Sequence, residues 1–172
     1  MSNLFAGVGN AKTSERGAFC KPGKYTVKIK RCLNKHTRKG YDAFIVEFEI
    51  ETSNYVNAKA DAVRAMGDKP YDAKALEDLL PNPEGSTASW FQSLADTAIG
   101  FGALKGFAAN LLGVKPENPE FLDNVEGFLS EAVSDNALAG TVCPLEVITI
   151  KTQKGGDFSL YKFGEMFPQP ST

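Results

Sequence analysis

Residues 24–33, KYTVKIKRCL, are followed by NKHTRKG at 34–40 and YDAFIVEFEI at 41–50. Apolar Tyr25, Val27 and Ile29 alternate with Lys24, Thr26, Lys28 and Lys30, the period of two that a half-buried strand requires. The second segment repeats the pattern, with Phe44, Val46, Phe48 and Ile50 on one face and Ile45, Glu47 and Glu49 on the other. The polar stretch Asn34–Gly40 is the expected loop between them. Together these segments predict an antiparallel hairpin with one buried face.

Downstream, residues 52–85 hold helix-compatible Ala, Leu and charged residues interrupted by Pro70, Pro81 and Pro83, and predict a partly helical excursion. A third strand is expected over Ser86–Leu94. Asp96 is placed to cap a helix running to Leu112, ended by Gly113 and Pro116, and a second helix is expected over Pro119–Val133. Strands follow at 142–150 and 158–163, joined by a turn at Lys154-Gly155-Gly156-Asp157. This order predicts a mainly β chain with helical insertions, a five-stranded OB-fold-like Greek-key barrel with helices between strands three and four. Residues 1–23 read as a flexible N-terminal arm with Pro22-Gly23 turning into the first strand, 24–167 as the single domain, and 168–172 as a short tail.

At 172 residues one domain is the natural expectation, able to bury roughly 70% of its unfolded surface. The net charge of −2 conceals a split. Ten of the nineteen Lys and Arg lie in the first forty residues, where Glu15 is the lone acid, leaving nine basic against twenty acidic residues beyond. A positive surface built on a strand can hold a polyanion in a fixed place. Nucleic acid is therefore the expected partner. The apolar runs are too short to span a membrane, and Met1–Phe5 shows no signal-peptide pattern. Cys20, Cys32 and Cys143 have no Cys-x-x-Cys spacing, and with one His they make no zinc set, so they read as buried thiols of a reducing cytosol.

Enzymatic constellations are sparse, and neither catalysis, metal nor cofactor is expected. A nucleophilic triad would have to use His36, which sits among Lys and Arg in the loop. Glu47, Glu49 and Glu51 share a strand face and would serve a Mg²⁺-dependent nuclease only with ligands from other elements. Cross-strand pairing with Lys28 and Lys30 is the plainer expectation. Gly100–Gly106 lacks both the dinucleotide spacing and a Gly-Lys-Ser/Thr, and reads as close helix packing.

The loop Lys35–Tyr41, with Lys35, Arg38, Lys39, His36 and Tyr41, suits a phosphate backbone, although a solvated hairpin tip would look the same. Lys28 and Lys30 extend that basic surface, and Lys12, Arg16 and Lys21 in the arm add to it. Unpaired bases need aromatic faces to stack on. Trp90 and Phe91 point to opposite faces of strand three, as Tyr161 does from Phe158, Leu160 and Lys162 in strand five. The expectation is that Trp90 and Tyr161 face outward as platforms and that Phe91 belongs to the core.

The runs Phe5–Ala11, Pro22-Gly23-Lys24-Tyr25, Thr37-Arg38-Lys39-Gly40, Gly85–Phe91 and Leu138-Ala139-Gly140 resemble those of phage-encoded single-stranded DNA-binding proteins. The resemblance covers most of the chain. It implies an OB-fold, single-stranded DNA as partner, phage replication or recombination proteins as further partners, and the cytoplasm of the bacterial host as location. One departure is the C-terminus: Glu165 is the only acid in the last eight residues, where many such proteins carry an acidic recruiting tail. Two rival readings remain. A protein-binding OB module would have its basic face satisfied by acidic side chains, and a nuclease would act through Glu47 or Glu49.

Overall fold

The computed structural model describes residues 19–151 and 155–168. In chain order these are β1 (Gly23–His36), β2 (Asp42–Thr52), α1 (Tyr55–Met66), α2 (Ala73–Leu79), β3 (Thr87–Ser93), α3 (Thr97–Leu112), α4 (Pro119–Ser134), β4 (Val142–Lys151) and β5 (Asp157–Phe163). All five strands join one antiparallel sheet in the order β3-β2-β1-β4-β5. The architecture is mixed α/β, with α1 and α2 between β2 and β3 and the longer α3 and α4 between β3 and β4. The expected barrel is not closed by hydrogen bonding: β3 and β5 are the two ends of the strand order.

The hairpin forms as its alternation requires, but its register carries two irregularities. Ile29 pairs with Phe48 and Arg31 with Glu47, so Lys30 is an extra residue opposite no partner. Such a bulge shifts the period by one. Cys32, rather than Leu33, therefore joins Val27 and Ile29 in the core, while Arg31 and Leu33 move to the outer face. On that face, where the alternation places it, Ile45 is nonetheless buried, set between Leu33 and Phe91 as cross-strand neighbours.

The core lies on the other face. Val27, Ile29, Phe44, Val46, Phe48, Ile50, Cys143, Leu145 and Val147 meet Leu104, Phe107 and Leu111 of α3 and Ala132 of α4. Five aromatic rings join within it, Phe44, Phe48, Trp90, Phe107 and Phe163, with linked centroids 5.0–6.3 Å apart. Tilted and edge-on pairs of this kind add about 0.5–1.5 kcal/mol each beyond area burial. Burial pushes the thiols of Cys20, Cys32 and Cys143 up to about 12, so they are free, neutral core groups.

The helix ends follow the expected chemistry. Asp96 accepts from the Ile99 amide, Asn118 from the Phe121 amide, and Gly113 ends α3 at φ 68°. Gly100 is where α3 meets β3 most closely: a Cβ there would lie 2.8 Å from the Ser93 carbonyl oxygen and 2.7 Å from Leu94 Cδ2. Close packing thus accounts for Gly100, whereas Gly102 and Gly106 have open space around them. Among the described residues, no helix is long and apolar enough to cross a membrane.

Candidate nucleic-acid interface

Strand pairing continues further into the basic loop than composition suggests. His36 still pairs with Asp42, and its Nδ1 lies 3.0 Å from Asp42 Oδ1. Lys35 is thereby a strand residue, in one row with Ala43 and Ser93. What remains is a tight turn. The Gly40 amide donates to the Thr37 carbonyl (3.1 Å), the Thr37 amide to the Tyr41 carbonyl (2.8 Å), and Thr37 Oγ1 to that same carbonyl (3.0 Å). Gly40 has φ 90°, a conformation that costs a side-chain-bearing residue strain. Arg38 and Lys39 are left at the exposed tip of a clamped turn.

Beside this turn, a cleft of about 460 Å³ runs between the end strands β3 and β5. Ser89–Ser93 form one wall, Phe158, Ser159 and Tyr161 the other, and Tyr41 and Phe19 complete it. Phe19 and Phe158 are 65% and 51% exposed, a solvent contact that large aromatic side chains usually lose in folding. The structure thus brings Tyr41, Trp90 and Tyr161 from three separate elements to one cleft, and adds Phe19, Phe91 and Phe158.

Trp90 does not take the outward position expected of it. It pairs with Val46, is only 8% exposed, and packs on Phe107 and Phe163 at 5.3 and 5.6 Å. Phe91 is the residue on the outer face, paired with Ile45, and it is half-buried rather than in the core. The two faces of the strand are reversed from expectation. The physical reason is register: Phe44, Val46 and Phe48 oppose Gln92, Trp90 and Ala88, so the core face of β2 dictates which β3 residues point inward.

Tyr161 also differs from a free platform. It shares the core-facing side of β5 with Phe163, and its hydroxyl accepts from the Cys20 amide at 3.1 Å. Burial raises its pKa, only partly offset by that hydrogen bond. One edge of its ring borders the cleft, and its hydroxyl is committed to the chain.

Two cations of the basic strand are neutralised by the facing strand. Lys30 Nζ lies 2.9 Å from Glu49 Oε2 and Arg31 Nε 2.7 Å from Glu47 Oε2. The hydrogen bond and charge of Lys30, with a smaller contribution from Lys28, hold the Glu49 carboxyl below its usual range. Cross-strand pairing is therefore what Glu47 and Glu49 do, although the partner of Glu47 is Arg31 rather than Lys28. Among the described residues, no group of three His, Cys, Asp or Glu could hold a metal ion.

Upstream, residues 19–22 are a strap rather than part of a loose arm. Cys20 is buried, and Lys21 Nζ donates to the Glu77 carbonyl at 2.6 Å. Residues 1–18, with Lys12, Arg16 and the Phe5–Ala11 run, and residues 152–154 and 169–172 lie outside the described residues. Sequence reading missed Phe19 because the Gly- and Lys-rich composition around it carries no strand or helix period. An outward Tyr161 would put Phe158, on the opposite face of the same strand, inward, whereas the structure leaves Phe158 exposed. No protein-family model matches the chain, and no curated protein is significantly similar to it.

Proposed function

We propose that this chain is a non-enzymatic, sequence-tolerant single-stranded DNA-binding protein, protecting strand during phage DNA replication or recombination in the bacterial host cytoplasm. The observation that carries the reading is the aromatic cleft between β3 and β5 with the Arg38-Lys39 turn beside it. Stacking surfaces next to permanent cations are the two components by which single strands are held without sequence readout. We read the sheet as a partly open OB-fold barrel. In such barrels the strand 2–3 face and the loops after strands one and four receive oligonucleotides. Tyr41 and Arg38 in the first of these loops, and Phe158 just beyond the second, fit that arrangement. Trp90 and Phe163, 5.6 Å apart, bring the end strands together across the core. The phage setting rests on the resemblance of the short sequence runs alone.

A second reading has a specific observation behind it. Lys30 and Arg31 are already paired with Glu49 and Glu47, as expected of an OB module that binds protein instead of DNA. Fluorescence anisotropy with labelled oligo-dT and a duplex of equal length separates the two. Single-strand binding is expected to exceed duplex binding and to weaken with salt by a log–log slope of about −0.7 per phosphate contacted. No binding of single strand at low salt would reject the proposal in favour of the protein-binding module.

A further inference from the structure

Asn82 is buried in the segment between α2 and β3, and both ends of its side-chain amide are used on one short stretch of chain. Its Nδ2 donates to the Phe19 carbonyl at 3.0 Å, and its Oδ1 accepts from the Lys21 amide at 2.9 Å. This is the pattern a neighbouring β-strand would offer, supplied by one side chain. The Asn82 backbone amide in turn donates to the Tyr25 hydroxyl (3.0 Å), which donates to the Lys21 carbonyl (2.7 Å). Ser53 Oγ donates to the Asn82 carbonyl at 2.5 Å, and the Cys20 amide between the two clasped residues donates to Tyr161. Every strap amide from Cys20 to Lys21 is thus held by a buried or half-buried side chain, yet Phe19 at its end is left 65% exposed on the cleft.

A buried, fully satisfied polar network fixes position more sharply than apolar packing alone. A side chain held so closely at its backbone and left open at its ring has the preorganisation of a binding contact. We propose, resting on the single-strand reading above, that Phe19 is a base-stacking wall of the cleft and that Asn82 is its positioning residue. The α1–α2 excursion, from which only Leu76 and Leu80 are buried, then serves to present Asn82 to the strap through Ser53 and the turn before β3.

The test is oligo-dT affinity and its salt dependence for wild type, Phe19→Ala, Phe19→Trp, Asn82→Ala and the double Phe19→Ala/Asn82→Ala, with amide hydrogen exchange on each. Phe19→Ala is expected to weaken binding by about 5- to 150-fold, the range of one stacked base, with the salt slope unchanged because no charge is lost. Phe19→Trp is expected to retain affinity. Asn82→Ala is expected to weaken binding, to speed exchange at the Lys21 amide, and to add nothing once Phe19 is already Ala. Should Asn82→Ala not fold, Tyr161→Phe releases the Cys20 amide while keeping the ring, and is expected to weaken binding in the same non-additive way. Wild-type affinity in Phe19→Ala, or strictly additive losses, would overturn the inference while leaving the single-strand reading intact. Failure of the wild type itself to bind oligo-dT would overturn both.

Discussion

The outer face of the β1–β2 hairpin and the cleft between β3 and β5 both draw on the same basic segment, yet they end up with opposite character. On the hairpin face, Lys30 and Arg31 stand over Glu49 and Glu47, and those cations are spent on neighbours in the facing strand. Arg38 and Lys39 sit at the exposed tip of a turn clamped by Thr37 and Gly40, and Tyr41 at the base of that turn lines the cleft together with the exposed rings of Phe19 and Phe158. Charge counted along a sequence is therefore a poor measure of charge offered to a ligand. What matters is whether the facing strand supplies the counter-charge, and Glu47 and Glu49 do so by strand register.

The largest effect that could break this comparison concerns the floor of the cleft. Trp90→Ala removes a core ring in contact with Phe107 and Phe163, and is expected to destabilise the fold by about 3–5 kcal/mol in a denaturant titration. Phe91→Ala is expected to cost stability less and to weaken oligo-dT binding by about 1–3 kcal/mol. If Trp90→Ala instead leaves stability untouched and abolishes binding, the assignment of core and cleft is inverted.

A smaller effect compares the two sets of cations. Charge reversal at Lys39 is expected to weaken binding of every sequence alike and to reduce the magnitude of the salt slope by about 0.7. The paired change Lys30→Gln with Glu49→Gln is expected to leave affinity and slope near wild type, with little change in stability. An equal loss from both sets would mean that bound strand crosses the hairpin face and breaks its ion pairs.

The smallest effect is a pH response. Because Lys30 holds the Glu49 carboxyl below its unfolded value, that pair's contribution is fully present above the unfolded carboxylate range and is lost as pH falls through the lowered folded value. Acidification through that window frees Lys30. Affinity for oligo-dT, measured at constant ionic strength, is expected to rise there in the wild type more than in Glu49→Gln. A wild type that weakens with acid as much as the variant would show that freed strand cations do not reach the ligand.

Local pattern carried much of this fold. The period of two in Lys24–Ile29 and Phe44–Ile50 needs no partner to be visible, since the alternation itself states which side is apolar. The signals at Asp96 and Gly113 act over three or four residues, and both long helices lie where the sequence predicts them. A row of carboxylates opposite a row of cations likewise announced cross-strand pairing.

Three decisions belonged to the tertiary structure alone. The extra residue at Lys30 carries no signature in composition, yet it moves Cys32 into the core and turns Arg31 toward Glu47. The facing of Trp90 and Phe91 was undetermined within a strand that alternates equally well either way, until pairing with Val46 and Ile45 assigned them. The strap that places Phe19 depends on Asn82, sixty-three residues distant in sequence, and on Tyr161, still farther away. Sequence by itself determined the strands, the helices and the amount of basic charge, because those follow from neighbours along the chain. Tertiary structure decided which cations pair across strands and which aromatic faces stay open, because both depend on what a distant strand brings to the same place.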